Sequence, residues 1–259
     1  MKATQANFQT LLNGARQFII PIYQRTYSWT LKQCDQLWRD IVRAGNAPQD
    51  TGHFIGSLVY IEKGIYQVSA IPELLIIDGQ QRLTTISLLL LGLRQALRQK
   101  AGLATVTPDE ITDYYLVNTH GKGDQHYKLL LTQNDKSTLI NLVEGLNPPQ
   151  DPSRRILDNF DFFTQQLQNP GVDLETVYKG ICRLIIVDIS LDRSNDNPQL
   201  IFESLNSTGL ALSHSDYFVL MGLDRTRQEV LYKTTGIRWN RVLVRQIMLP
   251  CSTVSCATI

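Results

Sequence analysis

The apolar pattern is strongest between residues 74 and 100. Leu74-Leu75-Ile76-Ile77 reads as a buried strand, and Leu83 to Leu93 is an almost unbroken apolar run continuing to Lys100, long enough for a buried helix. Asp78-Gly79 sets a turn between them. Upstream, Leu31, Cys34, Leu37, Trp38, Ile41 and Val42 recur at helical spacing behind Thr30, a suitable N-cap, and Gly45 is expected to end that helix. Asn7 to Leu12 predicts a short helix, and Gln17-Phe18-Ile19-Ile20 a strand stopped by Pro21. Phe54 to Glu62 and Ile65 to Ser69 predict two strands joined at Lys63-Gly64, a hairpin leading into the Leu74 strand.

From Thr107 the character turns helical. Thr107-Pro108-Asp109-Glu110 is a helix start with a cap, a first-turn proline and acids. A short strand is expected over Tyr127 to Leu131, helices from Ser153 to Leu167 and over Asp173 to Lys179, and a second buried strand at Leu184 to Val187, with Cys182 at its start. Asn197-Pro198 opens a further helix, and Ser213 with Asp216 matches a capping box. The fold class is therefore α+β. A small mixed sheet with helices is expected over 1–105, a mostly helical lobe over 106–223, and an atypical tail over 224–259. That tail has no acid after Glu229, yet holds Lys233, Arg238, Arg241 and Arg245. It reads as a basic arm for nucleic acid or, preferably, as an out-of-frame sequence, because its cations are not interleaved as a binding stripe requires.

Bulk properties narrow the class little. A hydrophobic fraction of 43% supports a core, and 25 Lys plus Arg against 24 Asp plus Glu point neither to nucleic acid nor to a membrane surface, while leaving room for a local basic patch. The start of the chain lacks an apolar signal region, and no apolar run reaches the roughly 18 residues of a membrane span, so a cytoplasmic protein is expected. The four cysteines lack metal-ligand spacing, and neither a zinc site nor a disulfide is expected.

Three polar segments carry the candidate chemistry. Asp78-Gly79-Gln80-Gln81-Arg82-Leu83-Thr84-Thr85 crowds polar side chains into a strand-to-helix corner, where unpaired amides and the positive helix end attract phosphate. Arg82 in the first helical turn opposes the helix dipole, and a counter-anion is the simplest reason for it. The plain alternative is a common Asp-Gly turn with a solvated Gln-Gln start. Pro21-Ile22-Tyr23-Gln24-Arg25-Thr26-Tyr27-Ser28-Trp29 is a second corner after a strand. The two Gln-Arg turns would clamp a polyphosphate while an aromatic ring stacks on a base; alternatively, the aromatics close one end of the core and Arg25 caps a carbonyl. Phe202-Glu203-Ser204-Leu205-Asn206-Ser207-Thr208-Gly209 is the third, equally readable as a Gly-terminated helix with a polar loop. Gly121-Lys122 does not make a P-loop.

Taken in order, with His53-Phe54-Ile55-Gly56-Ser57 between the first two, these segments resemble the N-terminal domain family of the GmrSD-type modification-dependent restriction endonucleases, over about Phe8 to Leu223. The resemblance implies a ParB-like core with a helical lobe, and nucleotide binding and hydrolysis coupled to recognition of modified, often phage, DNA. It also implies that Asp78 to Arg82 and Tyr23-Gln24-Arg25 line the nucleotide site. On that basis Tyr23, Gln24, Arg25, Gly79, Arg82 and Thr84 would bind an NTP. Asp78 would hold Mg²⁺ or orient water, and Gln80 or Gln81 would position that water. His53, Glu203, Asn206 and Thr208 are accessory candidates. The chain departs from the pattern after Asp216, where three or four residues are missing before Tyr217. It also lacks paired His and Asp after Thr208 for an HNH-like nuclease, so cleavage would fall to a separate nuclease subunit. The rival readings are a non-enzymatic DNA- or protein-binding regulator and an inactive truncated remnant.

Overall fold

The computed structural model describes residues 2–22, 24–48, 51–62, 71–99 and 105–191. The hairpin strand expected at Ile65 to Ser69, the third polar segment and the tail lie outside the described residues. Residues 2–20 and 25–191 belong to one compact unit; Pro21–Gln24 group apart from it.

That unit is built on one six-stranded mixed sheet, as an α+β chain requires. In chain order the elements are β1 (Lys2–Asn7), α1 (Phe8–Leu12), β2 (Gln17–Ile19), α2 (Leu31–Asn46), β3 (His53–Glu62), β4 (Glu73–Asp78) and α3 (Gln80–Gln99). Next come α4 (Pro108–Ile111), running into a π-helical turn over Thr112–Leu116, then β5 (Leu129–Leu130), α5 (Gln133–Glu144), α6 (Arg154–Gln168), α7 (Leu174–Cys182) and β6 (Leu184–Leu191). The strand order is β1-β6-β3-β4-β2-β5.

Strands β4, β2 and β5 run parallel to one another, and β3 is antiparallel to β4 but parallel to β6. The carboxyl ends of β4, β2 and β5 therefore share one edge with the amino ends of β3 and β6. Ligands in open α/β sheets favour the edge where parallel strands end, because helix starts gather there. Here that edge holds Asp78, the start of α3 and the segment leaving β2.

The long apolar run behaves as its composition demands. In α3, every residue from Leu83 to Leu93 is buried, which suits a helix enclosed on all sides rather than an amphipathic one. Helix α2 buries Cys34, Leu37, Trp38 and Ile41 of the face its spacing marked, and Ala44 besides, while Leu31 is exposed. Gln33 Oε1 accepts the Thr30 amide at 2.9 Å to close its start.

Several expectations need correcting. Helix α2 runs through Gly45 and ends before Pro48. A Cβ on Gly45 would collide with the Thr176 carbonyl, and one on Gly180 with the Ile41 carbonyl, so both glycines serve the close crossing of α2 and α7. Cys182 closes α7 instead of opening a strand. Strand β1 carries no alternating apolar signal; it is a polar, largely exposed edge paired antiparallel to β6. Strand β6, from the stretch expected to be mostly helical, inserts between β1 and β3 and so joins the sheet of the first hundred residues.

Among the described residues, no helix is long and apolar enough to cross a membrane.

Candidate functional site

The turn from β4 into α3 requires glycine twice over. Gly79 has φ +94°, and a Cβ there would lie 2.8 Å from the Ser57 carbonyl oxygen and 2.9 Å from Leu58 Cδ1. Its carbonyl accepts the Leu83 amide at 3.0 Å, which starts the helix. Arg82, one turn in, reaches back over β3. Its Nη2 donates to the Ser57 carbonyl at 2.6 Å and stands 3.6 Å from an Asp78 carboxylate oxygen.

Burial pushes the Arg82 guanidinium below its usual pKa, and Asp78 offsets this only in part. The surroundings therefore still disfavour the charge, and an added anion would favour it. Asp78 and Arg82 both remain partly open, with side-chain exposures of 32% and 27%, so a solute has access.

The neighbouring polar groups have fixed tasks. Gln81 is buried, and its Oε1 accepts the amides of Ser28 at 2.8 Å and Trp29 at 3.2 Å, while its Nε2 donates to the Thr26 carbonyl at 3.4 Å. The first polar corner is thus pinned to the later part of the second, at Thr26, Ser28 and Trp29. Thr84 is buried, and its hydroxyl donates to the Gln80 carbonyl at 2.9 Å, within its own helix. Gln80, half-buried, opens α3.

Three further groups grip the same segment. Asp135 Oδ2 accepts the Tyr27 amide at 2.7 Å. The Tyr27 hydroxyl lies 2.7 Å from Thr85 Oγ1, and Asn159 Nδ2 donates to that hydroxyl at 2.9 Å and to the Trp29 carbonyl at 2.8 Å. Burial, above all, raises the Tyr27 pKa far beyond the ordinary phenol range. Tyr27 is a core residue and Trp29 packs against the core, so these two rings close the core, as the plainer reading of the segment had it. Asp135 and Asn159 drew no notice in the sequence. A first-turn acid of α5 and a mid-helix Asn of α6 look like solvated positions until tertiary packing buries them.

The remaining candidates divide as follows. Arg25 is exposed, one residue before the Thr26 contact. Gln24 is buried, and its amide donates to the Pro21 carbonyl at 3.0 Å in a tight turn. His53 begins β3 with Nε2 3.6 Å from an Asp40 carboxylate oxygen. Tyr23, Glu203, Asn206 and Thr208 lie outside the described residues. Among the described residues, no three His, Cys, Asp or Glu side chains cluster to hold a metal.

The fold and corner define an α+β domain with a glycine turn and a partly buried arginine where parallel strands end. The chain belongs to the N-terminal domain family of the GmrSD restriction endonucleases, whose family model matches residues 8–220. That membership makes it a restriction-system domain. No curated protein matches the sequence.

Proposed function

We propose that this domain binds a nucleoside triphosphate at the Asp78–Arg82 corner as part of a restriction or phage-defence system, and that binding is coupled to sensing of modified DNA. The observation that carries the reading is Arg82: a partly buried guanidinium whose charge its surroundings still disfavour, in the first turn of α3, where a helix start favours anions. A polyphosphate supplies the missing negative charge, and Arg pairs with it bidentately. Arg25, exposed just upstream of the pinned segment, would meet the same ligand from the other corner.

The donor set fits a metal that arrives with its nucleotide. Mg²⁺ takes one or two protein carboxylates plus phosphate oxygens and keeps much of its water, and Asp78 supplies one such carboxylate at the edge of the corner. When bound, that ion would neutralise charge developing on the phosphates. Of the two glutamines, Gln80 is the better group to position an attacking water, because Gln81 is engaged with Ser28, Trp29 and Thr26. Hydrolysis is thus the proposed use of the site, in a cytoplasmic protein acting with a separate nuclease subunit.

A second reading, binding without turnover, gains from the engagement of Gln81 and Thr84 in the scaffold. Phosphate release from the purified chain, with and without modified DNA, separates the two. Calorimetry with Mg-ATP tests the binding itself: Arg82→Ala should weaken it by about 1.5–3 kcal/mol. Unchanged affinity in that variant would remove the proposal.

A further inference from the structure

The β3 strand is irregular where it meets Arg82. Its pairing with β6 skips between Phe54 and Ser57, so two residues, Ile55 and Gly56, fall in a bulge. Gly56 has φ +110°, a conformation that side-chain-bearing residues rarely adopt. A Cβ built on it would run into the Arg82 guanidinium, first at Nη1 and next at Cζ. The adjacent carbonyl, that of Ser57, accepts Nη2 of the same guanidinium. That carbonyl also lies where a side chain on Gly79 would intrude.

Two left-handed glycines, one in the β3 bulge and one just after β4, thus make room for a single arginine. Gly79 lets the start of α3 approach Ser57, and Gly56 leaves the guanidinium room beside the bulge. A guanidinium presents its donors as a rigid planar fork, so holding one Nη fixes the direction of the others. Without the bulge and its missing side chain, Arg82 would have to take another rotamer, away from Ser57.

We propose that Gly56 is a positioning residue for anion binding: it acts through Arg82 and sets the direction in which the guanidinium meets a triphosphate. The inference rests on the nucleotide reading above and deepens it, by assigning a role to the His53-Phe54-Ile55-Gly56-Ser57 segment that the corner itself does not explain. The ligand class is a polyphosphate, because a planar fork held on one side engages two oxygens of one anion on the other.

The test is a double-mutant cycle of Gly56→Ala and Arg82→Ala, read as Mg-ATP affinity by calorimetry at a temperature where all four chains are folded. With Arg82 present, Gly56→Ala is expected to weaken binding about tenfold; with Arg82 already removed, it should change affinity by less than roughly twofold. Equal effects in both backgrounds, or no effect in either, would overturn the role of Gly56 while leaving the nucleotide site standing. Wild-type affinity in Arg82→Ala alone would instead remove the nucleotide reading. If Gly56→Ala is too unstable for titration, thermal melting of the same four chains decides. Removing the guanidinium should recover part of the loss caused by the added methyl, whereas simple addition of the two losses counts against the inference.

Discussion

The Oε1 atom of Gln81 accepts the main-chain amide of Ser28 at 2.8 Å, across 53 residues of sequence. With Trp29 and Thr26 bonded to the same side chain, one amide fastens the first turn of α3 to the segment leaving β2. The corner that carries Arg82 and the segment that carries Arg25 are held together by a side chain rather than by the sheet alone.

Replacing Gln81 with Leu leaves two main-chain N–H groups without their acceptor in a partly buried setting. The expected loss is about 2–3 kcal/mol. Gln80→Leu, one residue away and half-buried, should cost less than about 0.5 kcal/mol. Urea titration of both variants gives the comparison, and similar midpoints would contradict the assignment of Gln81 to the scaffold.

Asp135 should make stability depend on pH in the unusual direction for a carboxylate. Burial raises its pKa, with bonds from Ser153 and the Tyr27 amide opposing. The folded state therefore holds the proton more tightly than the unfolded state. Its contribution is fully present below the ordinary carboxyl pKa and fades as pH rises through the raised value. Asp135→Asn keeps an oxygen for the Tyr27 amide and removes the buried charge. The variant should melt above the parent chain at pH 7, with the gap closing toward pH 4; a gap that widens in acid would refute this.

Lys128 is almost fully buried, and burial with the nearby Arg16 holds its pKa down to about 8. Its ammonium donates to the Gly14 carbonyl. Below that pKa both folded and unfolded chains carry the proton, and the cost of the buried charge is at its full value, on the order of 3 kcal/mol. Between about pH 8 and the unfolded value of 10.5 the cost disappears and stability rises. Lys128→Met, which gives up one hydrogen bond, should gain roughly 1–2 kcal/mol at pH 7. Its advantage should vanish by pH 10, where the difference between the two chains isolates Lys128 from the tyrosines. An advantage independent of pH would argue against a desolvated ammonium.

Asp78 is expected to make nucleotide binding depend on Mg²⁺. Without the ion its carboxylate, 3.6 Å from Arg82, repels the phosphates and competes with them for that guanidinium. Asp78→Asn should bind metal-free ATP more tightly than the parent chain and respond less to added Mg²⁺. If the variant keeps the parent's full metal response, Asp78 plays no part in holding the ion.

Much of the fold was legible because its signals are local. The run from Leu83 to Leu93 is almost unbroken in apolar residues and became a helix segment buried on every side. Leu74 to Ile77 became the buried part of a strand with Asp78-Gly79 as its exit. The candidate corner was readable for the same reason: a glycine turn, two amides and an arginine are contiguous in the chain. The edge strand β1 was not, since Lys2 to Asn7 owes its conformation to main-chain pairing with Ile185 to Ser190 and not to its own side chains.

Contiguous residues were enough to read an α+β chain with a strand-to-helix turn at Asp78-Gly79 and the family to which the chain belongs. Division of labour within the turn was settled only by folding. Gln80 and Gln81 are the same residue type in adjacent positions, but one helical step of about 100° points the second into the protein, against Ser28 and Trp29. Gly45 looked like a helix stop and is a crossing point, because the carbonyl that excludes a side chain there comes from Thr176, far along the chain. Local chemistry chooses the backbone path, but which polar atoms remain free for a ligand depends on partners that only three-dimensional packing brings within reach.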